Sequence, residues 1–331
     1  MRKLRRNFNF DLKTYRGGNP LCAEIFYENF RSDGIKLRAV HWRNDGKCTR
    51  EDFSGLGNGD RLRMMKPTLL ITTYNWPKAL KLCVESVFRQ TELPLEIVIA
   101  DDGSGDETRQ VVEALKSISP VPILHVWQPD EGFQLAKIRN RGIAAAHSDY
   151  IICVDGDLIL GPHFVEDHIF YAESSCCVFG KRVKLKPKYS AWVQNNSEFS
   201  ISWFWSPKIK LGYHFYSLRN RWLCNRTVVK ISDFRFRPHI LGCNMAFWKS
   251  DAIRVNGFDE EFTVWGLEDR DFSLRLRHAG VALKCIRFSA NLYHLYHVPR
   301  SKDAPGNMRQ FMKCAAEQRI WAEKGLDQYV N

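Results

Sequence analysis

A chain of 331 residues that is 44% hydrophobic, with 49 Lys/Arg against 37 Asp/Glu and a net charge of +12, can bury a sizeable core and is read as globular. No run of about 18 apolar residues spans a bilayer, and no N-terminal stretch has the basic, apolar and small-residue regions of a signal peptide, so the expected location is the cytoplasm. Ten cysteines without a C-x-x-C pair, several inside apolar runs, are read as small buried thiols of a reducing compartment.

In chain order, residues 1–66 come first and carry 15 Lys/Arg against 8 Asp/Glu. They lack a clear apolar period and hold Gly17-Gly18-Asn19-Pro20 and Gly55-Leu56-Gly57-Asn58-Gly59-Asp60, which predicts a weakly specified basic N-terminal extension. Met64 or Met65 is a candidate start. From residue 67 strands and helices alternate. Thr68 to Thr73 is a short run rich in β-branched residues, and Pro77 then opens a helix with Leu80, Cys83, Val84, Val87 and Phe88 at helical spacing. Leu95 to Ala100 is the next strand, Asp106 to Ser117 a helix, Pro122 to Trp127 a strand, Phe133 to Ala146 a helix and Tyr150 to Val154 a strand. This repeated β-α-β predicts an α/β fold, with a mostly parallel sheet, right-handed crossovers and helices on both faces.

The second half is less regular. Lys181 to Arg237 contains thirteen Lys/Arg against Glu198 and Asp233, together with Trp192, Trp203, Phe204, Trp205, Tyr213, Phe215, Tyr216 and Trp222. Without a steady period, residues 181–238 are expected to form an insertion lying over the sheet. Order returns with Ile240 to Phe247, a helix from about Glu268 carrying Phe272, Leu276 and Ala279 to Gly280, and a strand from Val281 to Arg287. Residues 67–300 are read as one domain and 301–331 as a C-terminal helical segment.

Polar residues end the predicted strands: Thr72, Thr73, Tyr74 and Asn75, then Asp101-Asp102-Gly103-Ser104, then Asp155-Gly156-Asp157. In a parallel sheet these tips share one edge, where ligands bind. Asp155 and Asp157, hard oxygen ligands on a short turn, suit Mg²⁺ or Mn²⁺ carrying a diphosphate, although Asp- and Gly-rich turns are also common without a ligand. Asp101 or Asp102 either takes a nucleobase N–H or ribose hydroxyl, or builds a turn and helix entry. Glu268 and Asp269 open a helix, where the macrodipole alone favours acids.

The order Thr-Thr-Tyr-Asn (72–75), Ala-Asp-Asp-Gly-Ser (100–104), Ile-Arg-Asn (138–140), Val-Asp-Gly-Asp (154–157) and Trp-Gly-Leu-Glu-Asp-Arg-Asp (265–271) resembles family 2 glycosyltransferases of the GT-A fold, over residues 67–300. The resemblance implies a Rossmann-like GT-A domain and an inverting, metal-dependent transfer of one hexose from a nucleotide sugar, UDP-linked in the first instance. It implies that Thr72, Tyr74, Asp101, Asp102, Arg139 and Asp155 bind the donor, with Asp101 or Asp102 on uracil and Arg139 on the diphosphate side. Asp155 and Asp157 would hold Mn²⁺ or Mg²⁺, joined by a histidine of Tyr293-His294-Leu295-Tyr296-His297, with His297 ahead of His294. Asp269 would be the catalytic base, Glu268 would hold acceptor hydroxyls, and Trp265, Gly266 and Asn244 would bind the acceptor.

The chain has no Gln-x-x-Arg-Trp sequence of processive members, so a non-processive bacterial lipopolysaccharide or capsule enzyme is the implied kind. Its partners would be the nucleotide sugar and a saccharide or glycolipid acceptor, with peripheral contact at the cytoplasmic face of the inner membrane through the basic aromatic tract. The alternatives are a nucleotide-sugar-binding regulatory protein without turnover, which intact Asp155, Asp157 and Asp269 argue against, and a nucleic-acid-binding protein, for which no reader module is present.

Overall fold

The structure is a computed structural model that describes residues 23–28, 36–42, 48–52, 65–201, 206–231, 242–298 and 305–330. Met64, the glycine clusters of the N-terminal segment, Trp203, Phe204, Trp205, Asp233, Arg235, Arg237, Ile240 and Leu241 lie outside the described residues. The chain divides into two units, Met1–Arg61 and Leu62–Asn331. Within the first, strands β1 (Ala23–Glu28), β2 (Lys36–Trp42) and β3 (Cys48–Asp52) form an antiparallel meander.

In the second unit, β4 (Thr68–Thr73), helix α1 (Pro77–Val87), β5 (Glu96–Asp101), α2 (Asp106–Ile118), β6 (Ile123–Trp127), α3 (Leu135–Ala145) and β7 (Tyr150–Asp155) realise the predicted alternation. β4 and β5 are buried along their whole length, as a strand covered on both faces must be. Pro77 starts α1 because it needs no N–H at the first turn. Asp106 and Glu107 at the start of α2 and Lys116 near its end match the helix dipole.

Then come β8 (Leu158–Leu160), α4 (Phe164–Tyr171), β9 (Cys176–Phe179), β10 (Val183–Lys184), α5 (Pro187–Asn196), α6 (Arg221–Thr227) and β11 (Val229–Ile231). The chain continues through β12 (Met245–Trp248), α7 (Lys249–Arg254), α8 (Glu268–His278), β13 (Ala282–Cys285), β14 (Leu292–His294) and α9 (Pro305–Glu317). The main sheet has the order β11-β13-β9-β12-β7-β4-β5-β6. The strands β7-β4-β5-β6 are parallel to one another, whereas β12 enters antiparallel between β7 and β9.

Alternation along each strand divides the core into two layers. Leu69, Ile71, Ile97, Ile99, Ile152 and Val154 pack with α1, α2 and α4 on one face. Leu70, Val98, Ala100, Ile151 and Cys153 pack with α3, α7 and α8 on the other. Gly142 lets α3 lie hard against the sheet, since a Cβ there would collide with the Leu70 side chain. The chain builds β4, β5 and β6 outward in one direction and then places β7 on the far side of β4. That reversal opens a crevice at the carboxyl ends of β4 and β7.

The basic tract is more than a loop over the sheet. β10 joins β14 and β8 in a small second sheet, and Val183, Leu185, Val193 and Ile209 form a third buried cluster with Ile159 and Leu295. The eight cysteines among the described residues whose side chains are placed are all buried free thiols. No helix among the described residues is long and apolar enough to cross a membrane.

Candidate active site

Asp155 and Asp157 stand where the sequence places them, at the tip of β7. Gly156 makes the turn possible: its N–H donates to the Thr72 carbonyl at 2.7 Å, and a Cβ would lie 3.0 Å from that same oxygen. The Thr72 hydroxyl donates to Asp155 at 3.0 Å, so the ends of β4 and β7 are locked together.

Asp157 faces two imidazoles. Nε2 of His294 and Nε2 of His297 each lie 3.4 Å from Asp157 Oδ2. One ligand atom from each of the three residues falls within 4.8 Å of the others. The fold produces this meeting because β14 pairs antiparallel with β8, His294 opposite Leu158, and Leu295 N–H donates to the Asp157 carbonyl at 3.0 Å. Burial, then Arg182, His297 and Lys184 nearby, push the His294 imidazole down to about 3. It is therefore neutral at physiological pH, as a metal ligand must be. One carboxylate and two imidazoles suit a divalent first-row ion such as Mn²⁺ and leave positions open for other ligands. Sequence reasoning ranked His297 over His294, whereas both face the carboxylate. Asp155 stands outside this cluster because its carboxylate is engaged by Thr72 and Arg139.

Arg139 lies deep beneath the edge. It was expected beside the donor diphosphate, yet it is 2% exposed, 3.3 Å from Asp155 and 3.5 Å from Glu268, with its guanidinium 5.1 Å from the centre of the Phe258 ring. Burial opposes its charge, but Cys153, Asp155, Glu268 and Asp269 around it hold its pKa above the ordinary value. It is a counter-ion beneath the carboxylates.

α8 starts with the acidic pair. Glu268 is buried, accepts Gly266 N–H at 3.1 Å and meets Arg139, while Asp269 accepts Gly242 N–H at 2.8 Å and keeps part of its surface exposed. Gly242 lets the chain approach closely here, since a Cβ would lie 3.0 Å from Arg139 and 3.1 Å from Asp269 and would press on both side chains. Burial and then the neighbouring Asp269 push Glu268 up to about 7, and burial likewise raises Asp269. The tip of β7 and the acidic pair meet over one buried guanidinium, since Arg139 lies 3.3 Å from Asp155 and 3.5 Å from Glu268.

The other expected donor residues line the same edge. Thr72 pairs with Ala100 and with Asp155, which sets Asp101 about two strand spacings, roughly 10 Å, from Asp155. Asp101 accepts Ser104 N–H at 2.8 Å and meets His125 at 3.0 Å. Asp102 accepts from Gln128 at 2.6 Å and from Gln134 N–H at 3.0 Å, and burial raises its pKa. Tyr74 is exposed and donates to Asp130 at 2.8 Å. Trp265 is partly exposed beside Gly266, ahead of the acidic pair.

Asn244 was expected at the acceptor; it is fully buried, its amide donates to the Lys181 and Ala290 carbonyls and its oxygen meets His168, so it braces the floor of the site. Part of the basic tract is also committed internally: Arg219 and Arg221 bind Asp167 and Glu166 at 2.6–3.0 Å. Sequence reasoning passed over Trp76, whose ring packs edge-on to His297 and whose indole N–H donates to Gln194 of α5. Its place just after the end of β4 was the available signal.

Comparison with known proteins gives matches of two kinds. The profile of the family described as "Glycosyl transferase family 2" matches residues 68–241, and that described as "N-terminal domain of galactosyltransferase" matches residues 226–298. Chondroitin synthase of Escherichia coli is 29% identical over 253 residues, 69% of this chain and 34% of the relative. Hyaluronan synthase of Pasteurella multocida is 28% identical over 233 residues, 66% of this chain and 23% of the relative. The chain thus spans about a third or less of these two relatives. A solved structure of GalNAc-T7 with UDP, GalNAc and Mn²⁺ is 16% identical with a TM-score of 0.53, over 75% of this chain and 48% of that one, a likeness of fold.

Proposed function

The chain belongs to glycosyl transferase family 2 and is a glycosyltransferase, and we propose that it is an inverting, metal-dependent enzyme that moves a single hexose from a UDP-sugar to a hydroxyl of a bacterial cell-surface glycan precursor such as lipopolysaccharide core. The observation that carries this reading is the meeting of Asp157, His294 and His297 at the same sheet edge as the Glu268–Asp269 pair.

Asp157, His294 and His297 would hold Mn²⁺ or Mg²⁺, which when bound would supply positive charge to the departing diphosphate. Asp101 and Asp102 serve the base end of the nucleotide, with Thr72 and Tyr74 along the path between. Trp265 and Gly266 floor the acceptor pocket, where Glu268 orients an acceptor hydroxyl. Asp269 takes the proton of the attacking hydroxyl as its oxygen bonds to the anomeric carbon and the bond to the diphosphate breaks. A base raised above the ordinary carboxylate range is better matched to that proton. Arg139 stays beneath, balancing Asp155 and Glu268 so that two further carboxylates can stand beside them.

An anionic saccharide acceptor agrees with the remaining basic and aromatic side chains of the tract, among them Lys208 over the Tyr189 ring and Tyr189 stacked on Trp192. The exposed Leu211, Phe215 and Trp222 support peripheral contact with the cytoplasmic face of the inner membrane.

The test is release of UDP, GDP or dTDP from a panel of nucleotide sugars, with and without Mn²⁺ and with lipopolysaccharide core fragments as acceptors. Mn²⁺-dependent UDP release with acceptor mass gained by one hexose is expected. Binding of the donors without turnover under every condition would instead identify a regulatory protein.

A further inference from the structure

If Arg139 lies beneath the site, another cation must meet the donor. A diphosphate entering a half-closed crevice needs hydrogen-bond donors and positive charge aimed at it. We propose that Arg182 supplies them and is the protein's own ligand to the diphosphate of a nucleoside diphosphate, beside Asp157, His294 and His297. The inference rests on the transferase reading given above.

Three observations place it there. First, β9 and β7 are both antiparallel to β12 and so run the same way, which brings the segment after β9 to the edge that carries Asp155 and Asp157. Second, the backbone on either side is fixed: the Lys181 carbonyl accepts from Asn244 at 3.0 Å, and Val183 pairs with Tyr293, next to His294. Third, the guanidinium is half-buried yet makes no ion pair among the described residues. Its one hydrogen bond there is to the Cys243 thiol at 3.8 Å, a weak acceptor. A planar guanidinium with four donor hydrogens unpartnered among the described residues matches a phosphate fork. Burial works against its charge, but Cys243, Asp155 and Asp157 nearby raise its pKa above the ordinary value, so it stays a cation.

The contrast with Arg139 explains why this crevice has two arginines. Arg139 is matched by Asp155 and Glu268 and is fully enclosed. Arg182 is held near the same carboxylates without being paired to them, so an incoming anion gains its full charge.

The experiment is calorimetric titration of the full chain with UDP in Mn²⁺, repeated for Arg182→Ala and Arg182→Lys, with a separate titration of Mn²⁺ alone. Loss of a charged hydrogen-bonding partner is worth about a ten- to hundredfold change in binding. Arg182→Ala is therefore expected to weaken UDP by about that factor. Arg182→Lys, which keeps the charge but not the fork, is expected to recover part of it. Mn²⁺ alone should bind the Ala variant at least as tightly as wild type, because a positive charge beside Asp157 and His294 has been removed. Unchanged UDP affinity in both variants, while wild type binds UDP, would overturn the role of Arg182 alone. Parallel loss of Mn²⁺ and UDP binding would also overturn it, as the mark of a purely structural residue. A wild-type protein that binds none of UDP, GDP and dTDP would remove the transferase reading and this inference with it.

Discussion

The acidic pair at the start of α8 makes the sharpest residue-level predictions. Glu268 is pushed up to about 7 by burial and by Asp269, whose own pKa is raised by burial. A proton therefore enters the pair as pH falls through about 7 and neutralises the groups that must accept and orient. The expected outcome is a kcat/KM that rises with pH below about 7 and is flat above it; a flat profile from pH 5.5 to 8 would contradict the role of the pair. Asp269→Asn should lower transfer by about a hundredfold or more, in line with loss of a general base, with UDP affinity nearly unchanged. Full activity in that variant would remove Asp269 from the base role. The stability consequence has the opposite direction. A carboxyl whose folded pKa lies above its unfolded value of about 4.3 contributes stability below that value and loses it as pH rises through about 7. Glu268→Gln should thus raise Tm at pH 8 and leave it little changed at pH 4, while impairing transfer. An equal shift at both pH values would show that ionisation is not the cause.

At the scale of elements, the loop before α8 is held by a helix remote in sequence. Asn307 of α9 is buried and its amide donates to the Val264 carbonyl at 2.7 Å and the Gly266 carbonyl at 2.6 Å. Leu267 follows with φ of 78°, a left-handed conformation that costs a non-glycine residue about 1 kcal/mol and persists where contacts hold it. Asn307→Ala is expected to raise the acceptor KM severalfold with little effect on UDP binding, since the tether acts on Trp265 and Gly266 and not on β4 or β7. Equal losses in acceptor and UDP binding would contradict that division.

The same elements explain what could be read from the chain. β4, β5 and β7 were legible because strands covered on both faces are unbroken apolar runs and the helices between them carry a 3.6-residue period, with Pro77 marking one start. Their polar ends gave Thr72, Asp101, Asp155 and Asp157. β8, β10 and β14 are only two or three residues long, too short to show a period, so the second sheet that brings His294 to Asp157 could not be foreseen. The depth of Arg139 and Asn244 was not legible for a related reason: how deeply a polar side chain near a strand end is buried depends on packing from elements far away. For Arg139 these are Phe258 and Glu268; for Asn244 they are His168 and Ala290.

For the whole molecule, one architectural fact underlies the chemistry. The direction of strand addition reverses between β4 and β7, and β12, β9 and β14 then extend the structure so that segments up to 140 residues apart, from Asp157 to His297, reach one edge. The basic surplus is not a uniform field: Arg219 and Arg221 are matched by Glu166 and Asp167, while Arg182 faces the crevice without an ion pair among the described residues. The measurement that bears most directly on this account is the anomalous scattering of Mn²⁺ in crystals grown with Mn²⁺ and UDP. The account predicts a single strong peak between the Asp157 carboxylate and the imidazoles of His294 and His297; a peak elsewhere, with those three side chains unbound, would contradict it.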